Sequence, residues 1–134
     1  MTETGFPQLL HPTVDATNVR EVANFYGDLL GLSHGAIPAG DEPQWVELMD
    51  SLGVVRLAVQ RVESLTPTTW PAPDVPMQLH LEFIVSSREE LLRHVERACA
   101  LGSTVLMDRF NEESEQVFVL ADPAGHPFCL LSRG

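Results

Sequence analysis

Residues 78–85 read QLHLEFIV. Successive side chains of a β-strand point to opposite sides, so this stretch divides into two unlike faces. Leu79, Leu81, Phe83 and Val85 fall on one, Gln78, His80 and Glu82 on the other. The apolar row asks for a core, while the polar row suits either solvent or a site, and one strand cannot choose between them.

The surroundings of this strand occur twice. In NVREVANFYGDLL, residues 18–30, Val19, Val22, Ala23, Tyr26, Leu29 and Leu30 recur at helical spacing and Gly31 stops the helix. In SSREELLRHVERACALG, Ser86 and Glu89 make a capping box, Leu91, Leu92, Val95, Ala98 and Cys99 form the apolar stripe, and Gly102 ends it. Strands are expected at 8–14, 33–38, 43–50 and 54–61, then at 77–85, 103–109, 115–121 and 127–132. This is βαβββ written twice, an α+β arrangement in a single domain: module one 7–65, linker 66–76 (TPTTWPAPDVP), module two 77–134. DPAG, residues 122–125, is expected to turn the last hairpin as a type I turn.

The repeat serves as a ruler. His11 and His80 lie on the first strands of the two modules, Gln60 and Cys129 on the last, and each pair is 69 residues apart. One pseudo-twofold axis is therefore expected to relate all four. Leu10, Val14, Val55, Leu57, Val59, Leu79, Leu81, Phe83, Phe128 and Leu130 form rows that should take the helices. The opposite row collects His11, Thr13, Trp45, Glu47, Met49, Arg56, Gln60, His80, Glu82 and Cys129. It is too rich in large apolar and sulfur-bearing groups for a solvated sheet and has the character of a pocket lining.

Composition excludes several classes. A chain of 134 residues, 44% hydrophobic, is long enough for one well-buried domain. Its net charge is −11, and its eight basic residues are all Arg and scattered, so nucleic acid is not an expected partner. Without Lys there is no lysine Schiff base, and neither a G-x-S-x-G nor a phosphate-loop pattern is present. Two cysteines, Cys99 and Cys129, make no disulfide framework and are expected to be reduced. MTETGFPQLL has no basic, apolar leader pattern, and no run approaches the roughly 18 apolar residues of a spanning helix, so a soluble cytoplasmic protein without a membrane partner is expected. His34 and His126, in or beside turns, read as surface or capping residues, and His94 as solvated.

Three segments, LLHPTVDATNVREVANFYGDLLGL (9–32), HLEF (80–83) and the closing DPAGHPFCL (122–130), resemble the vicinal oxygen chelate superfamily of glyoxalase I, bleomycin-resistance proteins and extradiol dioxygenases. The resemblance implies a mostly antiparallel eight-stranded sheet curled around a cleft, with metal ligands on the outer strands. His11, Gln60 and His80 then occupy ligand positions for a divalent ion such as Zn, Ni, Mn or Fe. Where metal-dependent relatives carry a carboxylate this chain has Cys129, which either shifts the site toward thiolate-tolerant ions or abolishes it. Glu82 is a candidate proton-moving residue or a carboxylate paired with Arg56; Glu47, in QWVELM, is a second catalytic candidate, and Trp45, Arg56, Trp70 and Cys129 are candidate ligand contacts. The implied partner is a small-molecule substrate or ligand, and the implied assembly a homodimer. Two functions follow: glyoxalase-like chemistry of the lyase, isomerase or dioxygenase kind, or metal-free sequestration of a small molecule.

Overall fold

The computed structural model describes residues 5–40 and 42–134. Residues 1–4, on which part of the N-terminal reading falls, lie outside the described residues. The elements in chain order are β1 (Thr13–Ala16), α1 (Val19–Leu30), β2 (Trp45–Met49), β3 (Val55–Arg61), β4 (Leu81–Ile84), α2 (Arg88–Ala100), β5 (Thr104–Arg109), β6 (Glu115–Ala121) and β7 (Pro127–Arg133).

Both helices start and stop on local signals. Asn18, extended at φ −119°, accepts the Glu21 N–H at 3.1 Å, and Gly31 closes α1 at φ +68°, a conformation that costs glycine little. α2 begins one residue later than expected: Ser87, not Ser86, is the cap and accepts the Glu90 N–H at 3.1 Å. Val19, Val22, Ala23, Phe25, Tyr26 and Leu29 bury one face of α1; Leu91, Val95 and Ala98 do the same for α2.

The strands form two sheets rather than one of eight strands. β1-β3-β2 is three-stranded, with β1 parallel and β2 antiparallel to β3; β4-β7-β6-β5 is four-stranded, with β4 parallel to β7 and the rest antiparallel. The expected strand at 33–38 shrinks to one bridge, Ser33 with Met49. The cause is competition for its backbone. Arg20 on α1 donates to the carbonyls of Ile37 (3.1 Å) and Pro38 (2.9 Å), and Pro38 has no N–H to offer a ladder.

The two opening strands are shorter than expected as well. The strand expected at 77–85 is only Leu81–Ile84, because Gln78 takes a left-handed φ of +50° and breaks the extended run. The one expected at 8–14 begins at Thr13. Leu10 and Leu79 therefore stay out of the helix-facing rows and are 81% and 84% exposed, whereas Leu57, Val59, Phe128 and Leu130 are buried as expected.

One apolar cluster runs through both sheets. Tyr26 and Phe25 of α1 meet Phe128 of β7 edge-on at 6.1 and 5.8 Å, and Tyr26 meets Phe83 of β4 at 6.3 Å. Arg97 of α2 donates to the carbonyls of Asp28 and Leu29, satisfying the open C-terminal end of α1. The proline-rich linker is held against the β6–β7 turn, where Thr68 N–H donates to Gly125 C=O at 2.9 Å. Among the described residues no helix is long and apolar enough to cross a membrane.

Candidate functional site

The opening alternation holds where the strand forms: Leu81 and Phe83 pack on the core, and Glu82 turns away from it. Parallel pairing sets Glu82 opposite Cys129, and His80, just before the strand, donates Nε2–H to Glu82 Oε2 at 3.0 Å. One donor atom each from His80, Glu82 and Cys129 fall within 4.8 Å of one another. His80 and Glu82 are 30% and 57% exposed at the side chain, while Cys129 is 5% exposed overall. Burial pushes the Cys129 thiol up to about 11, and the carboxylates of Glu82 and Glu115 add to the effect. The thiol is thus neutral in ordinary buffers, and Cys129 behaves as a small buried apolar group.

The remaining candidates gather elsewhere. In the first sheet Gln60 donates to Asp15 Oδ1 at 3.1 Å and pairs in register with Trp45, whose ring lies 6.0 Å from that of His11. Trp45 Nε1–H donates to Glu47 Oε2 at 3.1 Å, so this carboxylate belongs to β2 and not to the group around His80. Arg56 pairs with Asp50 at 3.4 Å, and Glu82 has His80 in place of the expected Arg56. Trp70 is half-buried in the linker, its N–H donating to Thr68 Oγ1.

The single 69-residue shift does not survive the register. Asp15 faces Gln60 in the first sheet and Glu82 faces Cys129 in the second. Gln60 and Cys129 are 69 apart, but Asp15 and Glu82 are 67 apart, so one parallel ladder has slipped two residues relative to the other. His80 therefore matches Thr13, not His11. An even slip leaves every side chain on its own face, which is why the division into faces stands while the equivalence of His11 and His80 does not.

Two hollows flank β4. One, of about 470 Å³, is walled by Val14, Leu65, Met77, Leu79 and Leu81, with His80, Asp15, His126 and Tyr26 among its polar groups beside Thr13 and Gln78. The other, of about 490 Å³, holds Glu82, Arg56 and Asp50 beside Leu57 and Phe83, and shares Pro12 and Leu81 with the first. Both volumes are in the range of small-molecule pockets. A third, of about 680 Å³, lies between residues 34–38 and β2 and is lined by Trp45 and Glu47.

Sequence reasoning missed one polar group altogether. The buried Asp122 carboxylate accepts Tyr26 O–H at 2.5 Å and His126 Nδ1–H at 2.9 Å on Oδ2, and the N–H groups of Ala124 and His126 on Oδ1. Burial, then the charge and hydrogen bond of Asp122, push the Tyr26 hydroxyl well above its ordinary range, so it remains a donor. The signal was present in the FY pair and in DPAGH, read there only as a helix stripe and a turn.

A glyoxalase-like domain model matches residues 11–131, nearly the whole chain. The chain belongs to the glyoxalase-like domain family, within the vicinal oxygen chelate superfamily. Its fold is shared with a glyoxalase/bleomycin resistance protein/dioxygenase family enzyme from Burkholderia phytofirmans (TM-score 0.70, 16% identity, 96% of this chain and 100% of that one). It is shared equally with the fosfomycin resistance protein FosX from Mesorhizobium loti (TM-score 0.68, 16% identity, 100% and 95%). A glyoxalase-related enzyme from Fulvimarina pelagi reaches 21% identity at TM-score 0.66, over 96% of this chain and 89% of that one. No curated protein matches this glyoxalase-like chain by sequence.

Members of this superfamily typically use divalent metals, and the donors around His80 can be weighed against such an ion. Imidazole, carboxylate and thiolate together suit a borderline-soft ion of the zinc type rather than Mg²⁺. Ligation would require Cys129 to lose a proton held up to about 11, a cost that works against a zinc-type ion at neutral pH.

Proposed function

We propose that this glyoxalase-like protein binds a small, largely apolar molecule in the hollow of about 470 Å³ beside β1 and β4, without requiring a metal. The observation that carries the reading is the neutral, buried Cys129 at the position where a metal-dependent site needs an anionic donor. The apolar walls supply affinity and His80 orients the ligand, which is the usual division of labour in a small-molecule site. Sequestration follows directly from such binding.

The test is calorimetric titration with a panel of planar apolar compounds in chelator-treated buffer. Binding should weaken about tenfold or more in His80→Ala and stay unchanged in Trp45→Phe, since Trp45 lines a different hollow. A dependence on Trp45 with indifference to His80 would move the site to β2 and refute the reading.

The cluster of His80, Glu82 and Cys129 supports a second reading, in which these three residues would hold a zinc-type ion, and that ion would supply Lewis-acid polarisation for lyase- or dioxygenase-type chemistry. Activity that requires added zinc and vanishes in Cys129→Ser would favour it over sequestration.

A further inference from the structure

The carboxylate of Asp122 is buried, its side chain 0% exposed, and among the described residues its one ion-pair partner is His126. A carboxylate carries no proton to donate, so His126 Nδ1 must carry the hydrogen of their 2.9 Å bond. The same residue's backbone N–H is bound to Oδ1, and Tyr26 holds Oδ2 from the other side. The ring is thereby fixed in orientation and tautomer, and its Nε2, which has no hydrogen-bond partner among the described residues, is the atom left for a ligand. His126 lines the same hollow as His80.

We propose that His126 is a proton acceptor for the ligand of this hollow, and that the ligand class is a small aromatic or otherwise planar molecule with a weakly acidic hydroxyl. The inference rests on the binding reading above. In the bound state the ligand O–H bond breaks and an Nε2–H bond forms, leaving an oxyanion beside an imidazolium. The electron pair of the broken bond stays on the ligand oxygen, and the imidazolium is balanced by Asp122. Two features choose His126 over His80. A buried carboxylate is costly until a cation compensates it, and the transferred proton supplies that cation. The partner of His80, by contrast, is the 57% exposed Glu82, whose charge water already solvates. The other charged groups on the hollow, Asp15 and the His80–Glu82 pair beside it, together with a net charge of −11, argue against a ligand that arrives as an anion and for one that arrives neutral and ionises on binding.

The test uses 4-nitrophenol, whose phenolate absorbs visibly and whose neutral form does not, in weakly buffered solution just below the pH at which the free probe ionises. Net proton release is recorded alongside: transfer within the complex releases none, whereas capture of phenolate by a pre-formed imidazolium releases one and overturns the proposal. The parent protein should show the phenolate band on binding, and His80→Gln should bind more weakly but show the same band once enough protein is added to saturate the probe. His126→Gln, verified as folded by circular dichroism and by its unfolding midpoint, should lose the band and bind about tenfold more weakly or worse, as expected for one lost charge-assisted hydrogen bond. A phenolate band that persists in His126→Gln, or that disappears only in His80→Gln, overturns the proposal. Nitrobenzene separates the two readings. If it binds but 4-nitrophenol is not ionised, the hollow is a binding site and His126 is not its base; if neither compound binds, both readings fail.

Discussion

Glu82 and Cys129 are direct partners across the parallel pair β4–β7, and the carboxylate reinforces what burial does to the thiol, holding it neutral up to about 11 against an ordinary 9.0. A group with a raised folded pKa stabilises the native state only while it stays protonated. The unfolded chain releases this proton from about pH 9 and the native state only near 11, so the unfolded state binds fewer protons across that window and stability falls as pH rises. The loss from this group should approach about 2–3 kcal/mol by pH 11, at roughly 1.4 kcal/mol per unit. Urea denaturation of the parent and Cys129→Val between pH 8 and about 11 checks this, the variant having the shallower decline. Alkylation by iodoacetamide should modify the exposed Cys99 well before Cys129; equal rates would contradict a buried, neutral thiol.

The same thiol would govern the binding of a zinc-type ion at this cluster. Zinc binding by His80, Glu82 and Cys129 must expel the thiol proton, so above the ordinary imidazole range, between about pH 7.5 and 9, affinity should rise about tenfold per pH unit and one proton should be released per ion bound. Calorimetry in buffers of different ionisation enthalpy measures that proton. Cys129→Ser should remove the proton release and most of the affinity; unchanged zinc binding in that variant would place the ion elsewhere.

How far the sequence carried this reading depends on the range of the forces involved. Helix caps and stripes are local, so Asn18, Gly31 and the apolar face of α1 were legible, and α2 missed by one residue only because two adjacent serines can each cap. The strand at 33–38 was lost to Arg20, a residue on another element whose claim on the carbonyls of Ile37 and Pro38 no periodicity reveals. The grouping of His80, Glu82 and Cys129 was half legible. Alternation put them on one face, but the partner of Cys129 depends on ladder register, and a slip of two residues is invisible to a pattern of period two. Tyr26, Asp122 and His126 were hidden for another reason: 96 residues separate the phenol from the carboxylate that it caps.

Gly125 should be the least replaceable residue of the β6–β7 turn. Its φ is +95°, and a Cβ there would lie 2.5 Å from Pro67 Cβ and 2.7 Å from Pro67 Cα, a backbone atom that cannot swing aside. Gly125→Ala should therefore cost more than the 1–2 kcal/mol typical of a left-handed alanine and should detach the linker, which Thr68 ties to this turn. Limited proteolysis within residues 66–76 should accelerate in the variant. A stability loss with no change in cleavage would mean that the linker is held by other contacts.

Tyr26 is completely buried and gives its hydroxyl proton to Asp122 Oδ2 at 2.5 Å, while its ring packs on Phe25, Phe83 and Phe128. Tyr26→Phe keeps the ring contacts and removes only the hydrogen bond. Because the acceptor is charged and buried, the loss should be about 1.5–3 kcal/mol, above that of a neutral pair. A cycle with Asp122→Asn isolates the interaction: with Asn Oδ1 kept on the turn's N–H groups, the atom facing the phenol is an NH2 donor in place of the carboxylate oxygen that accepted its O–H, and Tyr26→Phe should cost about 1 kcal/mol or less. Asn can still accept the N–H groups of Ala124 and His126, so the turn keeps the bonds that shape it. Urea denaturation of the four proteins at neutral pH, with unchanged slopes as evidence of intact folds, yields the coupling energy. Equal costs in both backgrounds would show that whatever the hydroxyl contributes does not depend on the Asp122 carboxylate, and that Asp122 is held by His126 and the turn without it.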